Sequence, residues 1–583
     1  MKRILFLILV LFAAGACLDD KTNTDYRDIN NFDDNKWKIT GIGSNYSLFP
    51  GESITITPEV RLLIDTLNPD VECRWILGDT EVATGPSYTF VAEEYGEYTL
   101  TFLATDKKTG VSFPAATDLR VAPRYKLGWL FISRTASGNS RLSLLAGKRV
   151  IVPYMDGNYQ RQRDSLVYVG FYTNLGGALG SGPIKLAEEF VYSESNYPLP
   201  SVLSEIMVLQ ESGPVELDGY ELEIVGHPFD EFTGEAPKEA IKDAVLSWSC
   251  KWLQAEDGRL YNSVAMVTTD LHSGRYAGDP AFNGARYETL IQTMKSSTYS
   301  DSKFFIAIDE TNTMWALLDN ASEKYNGGGI VDPVNNYVGH RARLANNSTG
   351  SFDMSLFNNF SGRYFKHVFV SSNKYLLSLI ERDGKYLWHK YDLDIPRVYT
   401  PGTEIKVKES KTGELAAEMF ADFKDATFVY DYYGGWEWLF VASGNKLYGT
   451  AMNWNEALQN SREIFTAPAD IVSVEARYFS NSMANEEGVN YSHLGVLLKD
   501  GTFLVLEVNY ESDAFTVKEI YKENLKQLDP EITDVVDMIH KYGEGTNLYY
   551  GYMYKNFIVF EIIIDGSIYS RRHINVVSCK LLL

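Results

Sequence analysis

The segment Leu494–Val508, LGVLLKDGTFLVLEV, carries two runs rich in Val, Leu and Phe on either side of Asp500-Gly501. An Asp-Gly pair tolerates positive φ at both central positions of a type I′ turn, so the segment reads as a β-hairpin. Lys251–Tyr261, Phe304–Leu318, Tyr375–Tyr391, Trp438–Thr450 and Tyr549–Ile563 repeat the pattern, each placing a polar turn between apolar, aromatic-rich runs. Their turns fall near residues 258, 312, 384, 444, 501 and 556, so successive turns lie 54 to 72 residues apart. That interval has room for one four-stranded antiparallel unit. A chain of such units, none able to bury its faces alone, is expected to be all-β and to form a β-propeller.

The propeller is expected over 123–583, where the spacing makes room for seven blades, with eight left open. Leu130–Ser133 and Arg141–Leu145 form a first candidate hairpin, and Leu166–Phe171, Ile206–Leu209 and Tyr220–Ile224 are assigned to a second blade. Ser567–Leu582, with alternating apolar residues, is expected to pair near Tyr125 and close the ring. Val264–Met294, Asn326–Phe360 and Thr400–Phe423, rich in Asn, Gly and Ser, read as surface loops.

Charge narrows the function classes. The chain has 54 basic and 77 acidic residues, a formal charge of −23, and no basic block interleaved with aromatics, so nucleic acid is excluded as a partner. The 38 Tyr, 30 Phe and 10 Trp suffice for a large aromatic core. Cys17, Cys73, Cys250 and Cys579 stand far apart without a CxxC or Cys/His pattern, and no metal or cofactor is expected. Cys73 and Cys250 read as small apolar core residues.

Lys2-Arg3, the apolar run Ile4–Phe12 and Ala13-Ala14-Gly15-Ala16 before Cys17 make a secretion signal over 1–16, too short to span a membrane. Gly-Ala-Cys resembles the lipobox of bacterial lipoproteins, although Ala14 stands where that family usually has Leu. The resemblance implies that Cys17 becomes the first mature residue and carries acyl chains. Asp19-Asp20 just beyond it is similar to the export signal of Bacteroidetes surface lipoproteins, implying an outer-membrane address facing the cell exterior. The polar stretch 17–36 reads as a flexible tether.

Over 37–122, short strands with frequent turns suit a small β-sandwich. Trp75-Ile76-Leu77-Gly78-Asp79 and Tyr95-Gly96-Glu97-Tyr98-Thr99-Leu100, ending Ala104-Thr105-Asp106, resemble the W-x-x-GD and Y-G-x-Y-x-L-x-x-x-A-x-D pattern of PKD domains, which are Ig-like sandwiches. In that reading Trp75 fills the core, Gly78-Asp79 makes a turn, and Tyr98 and Leu100 face inward. The combination resembles Bacteroidetes lipoproteins of the PKD-like family found beside SusC/SusD-type importers, and implies such a transporter as a partner.

No HExxH, GxSxG, P-loop, EF-hand or CxxC pattern is present, and the eight histidines are scattered singly. Asp309–Trp315 (DETNTMW) faintly resembles the aspartate box of sialidases but lacks its flanking Ser and central Gly, so it reads as a blade turn. A glycosidase carboxylate pair is a spatial relation and stays open at this stage. Tyr432, Tyr433 and Trp436, beside Gly434-Gly435, and Trp454 among asparagines are the candidate ligand-binding residues, because aromatic faces stack on sugars or peptide side chains at small entropic cost. The competing reading places Trp436 and Trp438 in the core. Asp65-Thr66-Leu67 and Asp164-Ser165-Leu166 resemble the Bacteroidetes O-glycosylation motif. These readings converge on a non-enzymatic surface lipoprotein that holds an oligosaccharide or peptide for an uptake system. The alternatives are a hydrolase, lyase or peptidase on the same scaffold and a structural or adhesive envelope protein.

Overall fold

The computed structural model describes residues 39–541 except 65–68, 95, 122, 158, 193–201, 248–249, 265–274, 293–295, 299–302, 312, 320–339, 347–362, 373–374, 383, 395–403, 424, 434–435, 453–458, 477–490 and 512–513. Beyond 541 it describes 562–564 and 567–569. The chain divides into two compact units, Met1–Ala122 and Pro123–Leu583.

The first unit is an all-β sandwich. Asn45–Leu48, Ser112–Val121, Gly96–Asp106, Val71–Leu77 and Thr80–Thr84 form a five-stranded sheet in that order, and Ser53–Ile56 pairs with Tyr88–Val91 across from it. Trp75 and Leu100 lie fully buried between the layers with Ile56, Phe90 and Phe102. The Trp75 indole keeps a partner by donating Nε1–H to the Gly85 carbonyl at 3.0 Å. Gly78, at φ +58°, turns Val71–Leu77 into Thr80–Thr84, and a side chain there would be strained. Tyr98 packs its ring on Phe90 and donates its hydroxyl to the Glu94 carbonyl at 2.9 Å. Asp106 is buried because its carboxylate caps the following turn, accepting from Lys108 N at 3.0 Å and Thr109 Oγ1 at 2.8 Å.

The second unit is a β-propeller built from antiparallel sets of four strands, the second of which gains a fifth strand, Ser296–Thr298, parallel to Phe190–Tyr192. Blade 1 is ordered Tyr159–Leu175, Ser140–Asp156, Gly128–Thr135, Ile532–Lys541, and its inner strand comes from the far end of the chain. Blades 2 and 3 follow at Pro183–Gly226 and Ile241–Tyr276, blade 4 at Tyr287–Asn346, blade 5 at Arg363–Glu414, blade 6 at Thr427–Thr466 and blade 7 at Ile471–Asn524. Seven four-stranded sets are thus present among the described residues. Blades 4 and 5 join through parallel pairing of Arg343–Asn346 with Glu404–Val407, which covers two outer edges at once.

Strands inside a blade are covered on both faces by neighbouring blades. Ser492–Leu498 and Cys250–Ala255 are accordingly buried along their whole length, with no period-two alternation. Alternation returns at the rim, as in Ala514–Asn524.

Several expectations are corrected. The ring closes through Ile532–Lys541 on Gly128–Thr135, whereas Ser567–Tyr569 pairs with Ile562–Ile564. Leu166–Phe171 belongs to blade 1, because it pairs with Leu145–Arg149. Thr400–Phe423 is no loop, since Glu404–Glu414 is the outer strand of blade 5, and His340–Asn346 is a strand within Asn326–Phe360. At Asp500-Gly501 only the glycine takes positive φ, +90°, while Asp500 accepts from Thr502 N at 2.9 Å, so the turn is not type I′. The turn near 312 has no glycine. Asp309 organises it instead, accepting from Thr311 N and Thr313 N at 2.9 Å and from Trp315 Nε1 at 2.8 Å. Donors from three residues hold the Asp309 carboxyl below its ordinary range despite burial. The hairpin expected at Tyr549–Ile563 lies largely outside the described residues.

Candidate functional site

Of the candidate residues from the sequence, Cys17, Asp19, Asp20 and Trp454 lie outside the described residues. Tyr432 and Tyr433 end the strand Thr427–Tyr433, and Trp436 begins Trp436–Ser443, with Tyr433 and Trp436 as register partners. The backbone therefore brings these three to one hairpin end, and their side chains lie outside the described part. Trp438, two residues on, is buried with its ring 4.6 Å from Tyr510 and 5.2 Å from Phe515, between blades 6 and 7. Of the two O-glycosylation candidates, Asp65-Thr66-Leu67 lies outside the described residues. Ser165 is buried in Tyr159–Leu175, with its hydroxyl 2.9 Å from the Tyr491 hydroxyl, so a folded chain cannot present it to a transferase.

His493 and His540 are buried among aromatic side chains. His493 Nδ1 sits 2.9 Å from the Tyr168 hydroxyl, which accepts from Trp129 Nε1 at 3.0 Å, and its ring stacks on Tyr491. This chain of contacts ties blade 1 to blade 7. His540 packs edge-on against Trp129, its ring 4.6 Å away. Cys250 is buried and Cys73 half-buried against the sandwich core. Among the described residues no group of three or more His, Cys, Asp or Glu is placed to hold a metal, and no helix is long and apolar enough to cross a membrane.

Two charged clusters emerge that no motif announced. The first lies where the inner strands of adjacent blades converge. Lys185 of blade 2 reaches Asp243 of blade 3 at 2.6 Å, and Asp537, on the closing strand, accepts from Leu186 N at 2.8 Å. Burial pushes the Lys185 ammonium down, but Asp243, with lesser help from Asp537 and Glu475, outweighs it and leaves the group above its ordinary value. Burial raises the Asp537 carboxyl to about 6, the Leu186 amide and Lys185 offsetting only part. The Leu186–Asp537 hydrogen bond pins the closing strand to blade 2. Further along that strand, Lys541 donates to the Lys126 carbonyl at 3.2 Å, and burial lowers it to about 8.

The second cluster lies between blades 2 and 3. Lys251 Nζ stands 2.7 Å from both Glu205 Oε1 and Glu216 Oε1, and both carboxylate side chains are fully buried. Burial pushes the Lys251 ammonium down, but the two glutamates overcome it and hold the group above its ordinary value. The Tyr276 phenol, raised by burial and the nearby glutamates, sits in the same interior. The sequence did carry a signal for this cluster: Lys251 interrupts the apolar run Cys250-Lys251-Trp252-Leu253, and a lysine there must be buried and therefore paired.

Comparison with known proteins matches the first part of the chain to a family model. Residues 17–178 match the PKD-like family, so the match begins at Cys17 and runs past the sandwich through the first three strands of blade 1. No curated protein sequence matches the chain. Among solved structures, a quinoprotein alcohol dehydrogenase-like protein from Bacteroides thetaiotaomicron is 9% identical over 85% of this chain and 96% of its own, at a TM-score of 0.32. Prp20p from Saccharomyces cerevisiae is 10% identical over 69% and 86%, at 0.31, and AofleA from Arthrobotrys oligospora is 8% identical over 60% and 93%, at 0.30. Likenesses this distant carry no argument about activity, ligand or partner.

Proposed function

We propose that this chain is a lipid-anchored protein of the outer-membrane surface whose propeller captures an oligosaccharide or peptide for a SusC/SusD-type importer, without transforming it. The observation that carries the reading is Cys17. It follows a signal-like segment, precedes Asp19-Asp20, and is also the residue at which the PKD-like family match starts. About twenty polar residues then precede a sandwich and a large β-propeller, a scaffold whose rim loops suit recognition. Two or more acyl chains would give stable anchoring while the acidic body stays clear of lipid.

The test is metabolic labelling with a fatty-acid analogue, combined with protease shaving of intact cells. The wild type should be labelled and shaved, and Cys17→Ala should be neither. Labelling that survives in Cys17→Ala would overturn the anchor. A panel of glycans and peptides scored for both binding and product release tests capture against catalysis, and turnover of any panel member would overturn the non-enzymatic reading.

A further inference from the structure

At the outer part of the interface between blades 3 and 4, aromatic and cationic side chains alternate from the interior to the surface. Trp252, fully buried on blade 3, stacks on Phe282 with ring centroids 5.5 Å apart and planes 15° from parallel. Arg341 follows, its Cζ 4.9 Å from the Phe282 ring centre and 4.1 Å from that of Trp315. Arg343, exposed, lies 4.7 Å from the Trp315 ring. Arg341 Nη1 also donates to the Tyr287 hydroxyl. Phe282 and the following Asn283 both adopt φ +57°, a left-handed backbone that costs energy in residues other than glycine and that presents Phe282 to this stack.

The charge balance is unusual for a protein with a formal charge of −23. Among the described residues neither Arg341 nor Arg343 has a carboxylate within the 4.0 Å of an ion pair. The register partner of Arg343, Glu404, is taken by Lys406 at 2.6 Å, and Asp309 is occupied by its own turn and by Trp315 Nε1. Among the described residues the buried indole N–H of Trp252 also has no acceptor. A guanidinium lying over a ring uses its face and leaves N–H donors at its edge available for a planar anion.

We propose that Arg341 and Arg343 form a binding site for the carboxylate of an acidic oligosaccharide, a uronate-containing glycan. Arginine forks match a planar carboxylate bidentately, and two arginines at alternate positions of one strand, about 7 Å apart, can take successive polar groups of one sugar chain. An added peptide strand is disfavoured at Arg343, which is paired on both sides. His340–Arg343 pairs with Trp315–Leu318 and Arg343–Asn346 with Glu404–Val407, so an extended peptide has no edge to join at that residue. The inference deepens the capture reading and rests on it.

Titration calorimetry on the full chain tests it with three probes of equal length: oligogalacturonate, a neutral gluco-oligosaccharide and oligoglutamate. Oligogalacturonate should bind, more weakly as salt rises, and the neutral sugar should not. Arg343→Gln should weaken that binding by about tenfold or more with an unchanged melting temperature, and Arg341→Lys, which keeps the charge and loses the fork, should weaken it too. No oligogalacturonate binding by the wild type, or binding unaltered in both variants, overturns the site. Oligoglutamate binding equally well and lost in the same variants overturns the glycan assignment. Binding that survives both variants leaves the capture reading standing while removing this site, and the fatty-acid labelling result is independent of all these outcomes.

Discussion

Lys251→Met would isolate the cost of a buried charge shared by two blades. The lysine side chain is 4% exposed and both glutamates 0%, with each N–O distance 2.7 Å. Removing the cation leaves two carboxylates sealed in the interior, and breaking a buried pair by deleting one partner costs about 3–5 kcal/mol. For a unit the size of Pro123–Leu583, an unfolding entropy of about 2 cal/mol/K per residue sums to roughly 1 kcal/mol per kelvin, so the melting temperature should fall by about 3–5 °C. The sign of the pH dependence follows from desolvation. Desolvation disfavours the charged form of a carboxyl left in the interior without its cation, so acid relieves the cost by protonating it and the cost returns as pH rises. The deficit should therefore be small near pH 4 and full at pH 7 to 8. Scanning calorimetry at both pH values measures it. Replacing all three residues with Met and Leu should recover most of the loss, since an apolar substitute for a whole buried ion cluster is often neutral. A Lys251→Met deficit below about 1 kcal/mol at pH 7, or one that ignores pH, would refute the argument.

Three further outcomes are expected. Because Asp537 is raised to about 6 in the folded chain, it stabilises below its unfolded value of about 4 and loses that contribution as pH climbs towards 6; Asp537→Asn should flatten the stability profile across this window by roughly 1–3 kcal/mol, read by urea denaturation at pH 4 and 7. A Cβ at Gly495 would lie 2.5 Å from Trp129 Cζ3, a rigid ring packed between blades 1 and 7, so Gly495→Ala should cost about 1–3 kcal/mol, and a neutral effect on the melting temperature would contradict the packing described. Trp438→Ala should destabilise by about 3–5 kcal/mol through the cavity beside Tyr510 and Phe515, and a stable Trp438→Ala that lost ligand capture would instead place that ring in a binding site.

The hairpins were legible because their signal is local. At Gly258, Gly384, Gly444 and Gly501 the chain takes positive φ at the turns anticipated there, and the flanking runs pair. The sandwich core was legible for the same reason, with Trp75 and Leu100 fully buried as the motif implied. The turn near 312 was placed correctly, but its mechanism, an aspartate gathering donors from three residues, depends on side-chain geometry that spacing does not reveal. Strand membership was harder. Leu166–Phe171 reads alike whether it ends blade 1 or begins blade 2, and only its pairing with Leu145–Arg149 decides. Trp438, beside the aromatic candidates at 432–436, shows the difficulty: an apolar aromatic in a strand has the same sequence signature whether it faces a ligand or a neighbouring blade.

Short segments alone specify an acidic, all-β chain with a PKD-like sandwich ahead of repeated four-stranded units, because turn chemistry and period-two runs are properties of neighbouring residues. Which strand closes the ring, which charges share the interior and which arginines lack an acid among the described residues are set by tertiary packing. Ile532–Lys541 lies about four hundred residues from Gly128–Thr135, and Arg341 meets Phe282 only because two blades pack face to face. Contacts of that kind depend on the register of whole sheets, and no window of sequence contains both partners.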